Sequence, residues 1–161
     1  MSDAAFVPAD FVPPRELVTP RFRLVPLAVE HNASDHAAWT SSIPHIAATA
    51  GFAGQDWPPA RGMSLEENRE DLAGHARDFA GRTGFTYTVL APGTDEVIGC
   101  VYVYPVRGDR QDAVRGGEDR TAQVLSWVRV DHAELDVELA GAVTGWLSER
   151  WPFAHVEYAP R

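Results

Sequence analysis

Two runs rich in β-branched and aromatic residues, Phe85–Ala91 and Val97–Val106, stand on either side of Pro92-Gly93-Thr94-Asp95. Such side chains suit a pleated sheet, and Pro-Gly-Thr-Asp is turn chemistry, so the pair predicts an antiparallel hairpin. That hairpin fixes the middle of the chain as β structure, and the other segments are read around it.

Upstream, Phe6, Pro8, Phe11, Pro13 and Pro14 mark residues 1–20 as an extended arm, because proline is excluded from helix interiors. Arg21–Leu27 is a short strand between Pro20 and Pro26, either at an edge or starting late. Val29–Ser42 is a helix with Ala33, Ala37 and Ile43 on one stripe, stopped by Pro44. Ala50–Met63, rich in Gly and Pro, is a loop. Ser64 and Glu67 have the spacing of a capping box. The helix they open carries Leu65, Leu72, Ala76 and Phe79 on one face and ends near Gly81 or Gly84.

Downstream, Arg107–Arg120 mixes charges with no apolar period and reads as a solvated connection. Thr121–Val130 adds a third strand to the meander. Leu135, Leu139, Ala142, Val143 and Trp146 recur at helical spacing up to Arg150, and Phe153–Tyr158 is a final strand. The order is β-α-α-β-β-β-α-β, an α/β chain with a mixed (α+β) sheet. Residues 21–161 form one domain behind the arm 1–20. The last β-α-β segment predicts a right-handed crossover between parallel strands.

A chain of 161 residues can bury a core without staples. Its net charge of −9 argues against a grip on nucleic acid, which needs clustered cations. No run approaches the roughly 18 apolar residues that span a bilayer, and no secretory leader is legible, so a cytoplasmic protein off the membrane is expected. The lone cysteine, Cys100, alternates into a strand between apolar neighbours and reads as a buried structural thiol. His31 and His36, five apart, do not share a helix face, and no metal site is expected.

This order resembles the GNAT superfamily of acyl-CoA-dependent N-acetyltransferases. Phe22-Arg23-Leu24-Val25-Pro26-Leu27 resembles the opening strand. Thr86–Leu90 and Val97–Tyr102 resemble the central hairpin, with a glycine early in its second strand. Ser126-Trp127-Val128-Arg129 resembles the strand that enters the cofactor loop, and Leu139–Leu147 the helix after it. The likeness covers residues 21–161. In particular it looks like a short branch that ends after the fifth strand, lacking the further helix and strands of longer members.

The resemblance implies acetyl-CoA or another acyl-CoA as co-substrate. Its pantetheine would lie on the backbone of Val128, Arg129 and Val130, and its diphosphate on the loop containing His132, Ala133 and Leu135. The superfamily loop is glycine-bearing and places backbone N–H groups of a helix start against the phosphates. Here Asp131-His132-Ala133-Glu134-Leu135-Asp136-Val137-Glu138 has no glycine and four carboxylates. Asp131 is placed to cap the helix with Glu134 closing a box, or Asp136 caps a later start. A helix end favours an anion by about 0.3–1 kcal/mol, whereas each carboxylate about 6 Å from a phosphate opposes it by roughly 1–3 kcal/mol. Only His132 and Arg129 stand nearby to offset them. Weak or absent binding of the diphosphate follows, unless the carboxylates point away.

Acyl transfer to an amine needs a base for the ammonium proton. Gln123, Ser126 and Trp127 on the fourth strand are not bases, and no catalytic acid or base is named. Trp39, Trp57, Tyr102 and Trp127 are the candidate walls of an acceptor site, since aromatic faces attract cations. Each of these aromatics also suits a plain core, and Tyr102 and Tyr104 alternate onto one sheet face as packing residues do. Three readings follow: an N-acyltransferase acting on a small-molecule or peptide amine, a non-catalytic ligand- or partner-binding module of the same fold, or a structural homodimer joined through its last strand.

Overall fold

The computed structural model describes residues 5–106 and 120–161. Six strands form one sheet in sequence order: β1 (Leu17–Val18), β2 (Arg23–Pro26), β3 (Phe85–Leu90), β4 (Val97–Pro105), β5 (Thr121–Val128) and β6 (His155–Tyr158). The first four pairings are antiparallel and β5–β6 is parallel. The helices are α1 (Asn32–Thr40), α2 (Ile43–Ala47), α3 (Leu65–Gly81) and α4 (Asp136–Arg150).

The hairpin of β3 and β4 forms as its composition dictates, with Gly93 at φ 71° in the turn. Gly99 has a second role. A Cβ there would stand 2.5 Å from the Trp127 carbonyl oxygen, so only glycine lets β4 and β5 close up at this point. Ser64 and Glu67 exchange their capping bonds at 3.0 and 2.9 Å, and α3 ends on Arg82 in the left-handed conformation at φ 64°.

Several sequence expectations change. Leu17–Val18 adds a short strand outside β2, so β2 is an interior strand that starts late and ends at Pro26. The first helix is split: Pro44 sits in the first turn of α2, where its missing N–H costs nothing, and so starts a helix. The buried side of α1 is Asp35, Ala38 and Trp39, while Ala33 and Ala37 face solvent. Leu65 is exposed because it lies at the first helical position of α3, before the helix reaches the sheet. Neither Asp131 nor Asp136 caps α4. A 3-10 turn over Val130–Leu135 precedes it, and Leu135 is its N-cap without a side-chain bond. Of the connection read at 107–120, only Arg120 is among the described residues.

The sheet carries a core on each face. Under α4, Leu135, Leu139, Val143, Trp146 and Leu147 pack on Tyr87, Val101, Val124 and Val128. Phe6 and Phe11 join this layer, their rings 5.9 Å from Phe85 and 5.2 Å from Trp151. Under α1, α2 and α3, Trp39, Ile46, Phe52 and Leu72 pack on Leu90, Cys100 and Trp127.

Candidate active site

β5 and β6 pair only from Thr121↔His155 to Val124↔Tyr158, yet β5 runs on to Val128. Beyond Val124 one side of β5 therefore has no strand partner. The Arg129 N–H donates to Ile98 on β4, and the alternation of strand backbone turns Ser126 and Val128 the other way, towards the gap. The Val130 N–H is held by Ser42 Oγ at 2.9 Å, so of the backbone expected to carry pantetheine, Val128 faces the gap while Arg129 and Val130 are bonded elsewhere. Ser42, buried at the entry to α2, gave no sequence signal.

Arg161 fills the gap. Its Nη2 donates to the Ser126 carbonyl oxygen at 2.9 Å and to Ser126 Oγ at 3.1 Å. Its Nε and Nη2 form a fork on Asp136 at 2.9 and 3.3 Å, and Nη1 donates to the Ala159 carbonyl at 2.8 Å. The guanidinium lies 5.3 Å from the Tyr158 ring centroid. The Tyr158 hydroxyl meets Ser126 Oγ at 2.5 Å, and burial raises its pKa, which keeps the phenol protonated at neutral pH.

The turn before α4, where the resemblance led a diphosphate to be expected, is acidic, but its carboxylates are engaged. Arg129 grips Asp131 through Nε at 2.6 Å and Nη2 at 3.2 Å. That bond, with one from His132 Nδ1 at 3.0 Å, pulls Asp131 down to about 2. Arg129 also donates to Glu96 at 3.0 Å. Arg21 stands 3.8 Å from Glu134 and 3.6 Å from Glu138. Arg129 and His132, the expected offsets, are thus both spent on Asp131. Arg21 and Arg161, distant in sequence, neutralise the rest. Ala133 is exposed, and Leu135 points into the core beneath α4.

On the opposite sheet face the four aromatics come together. Trp57 lies 5.3 Å from Trp39, 6.2 Å from Tyr102 and 6.0 Å from Trp127, centroid to centroid. Trp127 Nε1 donates to the Tyr102 hydroxyl at 2.9 Å. Trp39 and Trp127 are fully buried, whereas Trp57 and Tyr102 are half-buried. Trp39 and Trp127 belong to the core under α1–α3, and Trp57 and Tyr102 pack against it. Gly51 joins this face to the gap: a Cβ there would meet Leu125 at 2.9 Å and Ala159 at 3.5 Å.

Polar groups that sequence reading missed line the same layer. Asn68, buried on α3, accepts from Trp39 Nε1 at 2.9 Å and donates to Asn32 at 2.8 Å and to Asp35 at 3.0 Å. Burial pushes the Asp35 carboxyl up to about 6. His75 Nδ1 is 2.9 Å from the Tyr104 hydroxyl and 3.0 Å from Thr86 Oγ1, and Tyr104 donates to Asp78 at 2.8 Å. Burial lowers the His75 pKa, so the imidazole is neutral at pH 7. Cys100 is buried and its thiol is pushed up by burial, consistent with a structural role.

No family profile and no curated protein sequence matches the chain. Solved structures do. RimL, the ribosomal L7/L12 α-N-protein acetyltransferase, in complex with coenzyme A, superposes at TM-score 0.62 and 14% identity, covering 85% of this chain and 69% of that one. The acetyltransferase from Salmonella typhimurium that modifies the N-terminal serine of L7/L12 gives 0.61 and 12%, with 85% and 69% covered. The microcin C7 self-immunity acetyltransferase MccE, with acetyl-CoA and AMP, gives 0.58 and 11%, with 81% and 63% covered. The chain spans about two thirds of the length of these structures. At such identities the likeness establishes the fold: this is a GNAT fold, a mixed sheet with four helices.

Proposed function

We propose that the chain is an acyl-CoA-dependent N-acyltransferase whose acceptor is an amine of a small molecule or a peptide. The observation that carries this is that β5 continues to Val128 past its last pairing with β6, Val124↔Tyr158, so that the Ser126 and Val128 backbone is turned to a side with no strand partner. A pantetheine arm, with its amide groups, fits such a strand edge once Arg161 has left. The start of α4, bearing Asp136 and Glu138, does not fit a diphosphate. Acyl-CoA supplies an activated acyl carbon as a thioester.

The chain's own residues would then do three things. Ser126 and Val128 would orient the arm. Trp57 and Tyr102, backed by Trp39 and Trp127, would receive the amine from the other sheet face. His75, neutral and 5.7 Å from the Tyr102 ring, would take the ammonium proton through water. Tyr158, protonated beside Ser126, is placed to return a proton to the departing sulfur. A free acyl-CoA pool puts this reaction in the cytoplasm. The test is release of free thiol from acetyl-CoA in the presence of amines and N-terminal peptides. Thiol release that depends on the amine and is reduced in His75→Ala supports the reading, and no release above background with any acceptor sinks it.

One observation favours a second reading. Arg161 occupies the open side of β5, which suits a non-catalytic module that keeps the cleft for a ligand or partner. Binding of acetyl-CoA without turnover would select it. The outer side of β6, where Val156 is exposed, also suits strand pairing between two copies. Light scattering showing a monomer at high concentration would remove that dimer.

A further inference from the structure

An arginine side chain is rarely buried, because its charge must be stripped of water. The Arg161 side chain is only 5% exposed. All three of its nitrogens bond to acceptors: the Asp136 carboxylate, Ser126 Oγ, and the carbonyls of Ser126 and Ala159. The Tyr158 ring adds a π face. This is a complete guanidinium site, built from β5, the first residue of α4 and the segment after β6. It also lies on the strand edge that faces the gap, where Ser126 has its carbonyl already satisfied.

We propose that Ser126, Asp136 and Tyr158 form a guanidinium site filled in cis by Arg161, and that this guanidinium competes with acyl-CoA for the β5–β6 cleft. The proposal rests on the cleft being the acyl-CoA site. Two ligands that need the same Ser126 carbonyl and the same space exclude one another. The apparent affinity for acyl-CoA is then reduced by the fraction of molecules in which Arg161 has left. Asp136 works in the same direction twice, since it holds Arg161 in place and, once bared, repels phosphate.

Calorimetric titration with acetyl-CoA of the wild-type chain, Arg161→Ala, Asp136→Asn and Arg161→Lys tests this. Arg161→Ala and Asp136→Asn are expected to bind at least about tenfold more tightly than wild type, with Arg161→Lys between, because lysine keeps the charge and loses the fork. Ethylguanidinium added to Arg161→Ala is expected to refill the site and weaken acetyl-CoA binding towards the wild-type value. Equal affinity in all four proteins, or no effect of ethylguanidinium, overturns the competition and leaves the acyl-CoA reading standing. No binding to any folded variant at millimolar acetyl-CoA overturns both. If Arg161→Ala does not fold, Asp136→Asn and Arg161→Lys carry the comparison.

Discussion

Asp35 makes the stability of this protein depend on pH in a direction opposite to that of most carboxylates. Its side chain is buried under α1, with Asn68 donating to one oxygen at 3.0 Å. Burial raises its pKa from 3.8 to about 6, Asp71 adds to the rise, and Asn68 and His36 oppose it. Between these two values the folded chain holds a proton that the unfolded chain has lost. The contribution of Asp35 is therefore most favourable below pH 3.8 and is lost as pH rises through about 6. A shift of about two units corresponds to about 3 kcal/mol, of which about 2 falls between pH ~4.5 and ~7.5. Asp35→Asn keeps the size and an acceptor oxygen but cannot titrate. Urea unfolding of both proteins across this range should show wild type losing about 2 kcal/mol more than the variant. Parallel pH profiles would contradict a proton held by the folded chain at Asp35 and place its carboxyl in a wetter site.

Three further outcomes are expected. Gly99→Ala drives a Cβ to 2.5 Å from the Trp127 carbonyl, so β4 and β5 must part, at a cost of about 1–3 kcal/mol, read as a fall in Tm of about 2–4 °C per kcal/mol. Tyr102→Phe leaves the Trp127 indole N–H buried without its acceptor and should cost about 1–3 kcal/mol in urea unfolding, with a change in tryptophan fluorescence. Ser64→Ala removes the α3 cap and should cost about 0.5–2 kcal/mol, with no effect on acetyl-CoA binding.

Local signals carried into the structure and distant ones did not. The hairpin, the capping box and the apolar stripe from Leu135 to Trp146 that seats α4 are local patterns, so periodicity and turn chemistry reveal them. Strand β1 is two residues long and exists only because Leu17 meets Leu24 across a turn. The split at Pro44 is ambiguous in sequence, since proline both ends one helix and suits the first turn of the next. The aromatic residues were identifiable by type, but their meeting depends on a loop folding Trp57 back over the sheet. Asn68 reads as a polar residue among the exposed positions of α3, and only the tertiary contact with Trp39 and Asp35 gives it a role. Arg161 and Asp136 are 25 residues apart and join because α4 returns the chain beside β5. Nothing in the composition of either segment signals that contact. The acidic turn before α4 was legible as a departure from a phosphate loop, but the pairing of Arg21 and Arg161 with its carboxylates was not.

The proposed activity requires the β5–β6 cleft to hold an acyl-CoA by its pantetheine arm. Titration of wild type and Arg161→Ala with acetyl-CoA and, separately, with acetylpantetheine tests it most directly. Both ligands are expected to bind Arg161→Ala with dissociation constants within about tenfold of each other and with little dependence on salt, because the described cations beside the turn, Arg21, Arg129 and His132, are paired with its carboxylates. Absence of binding by either ligand to either protein at millimolar concentration would contradict it.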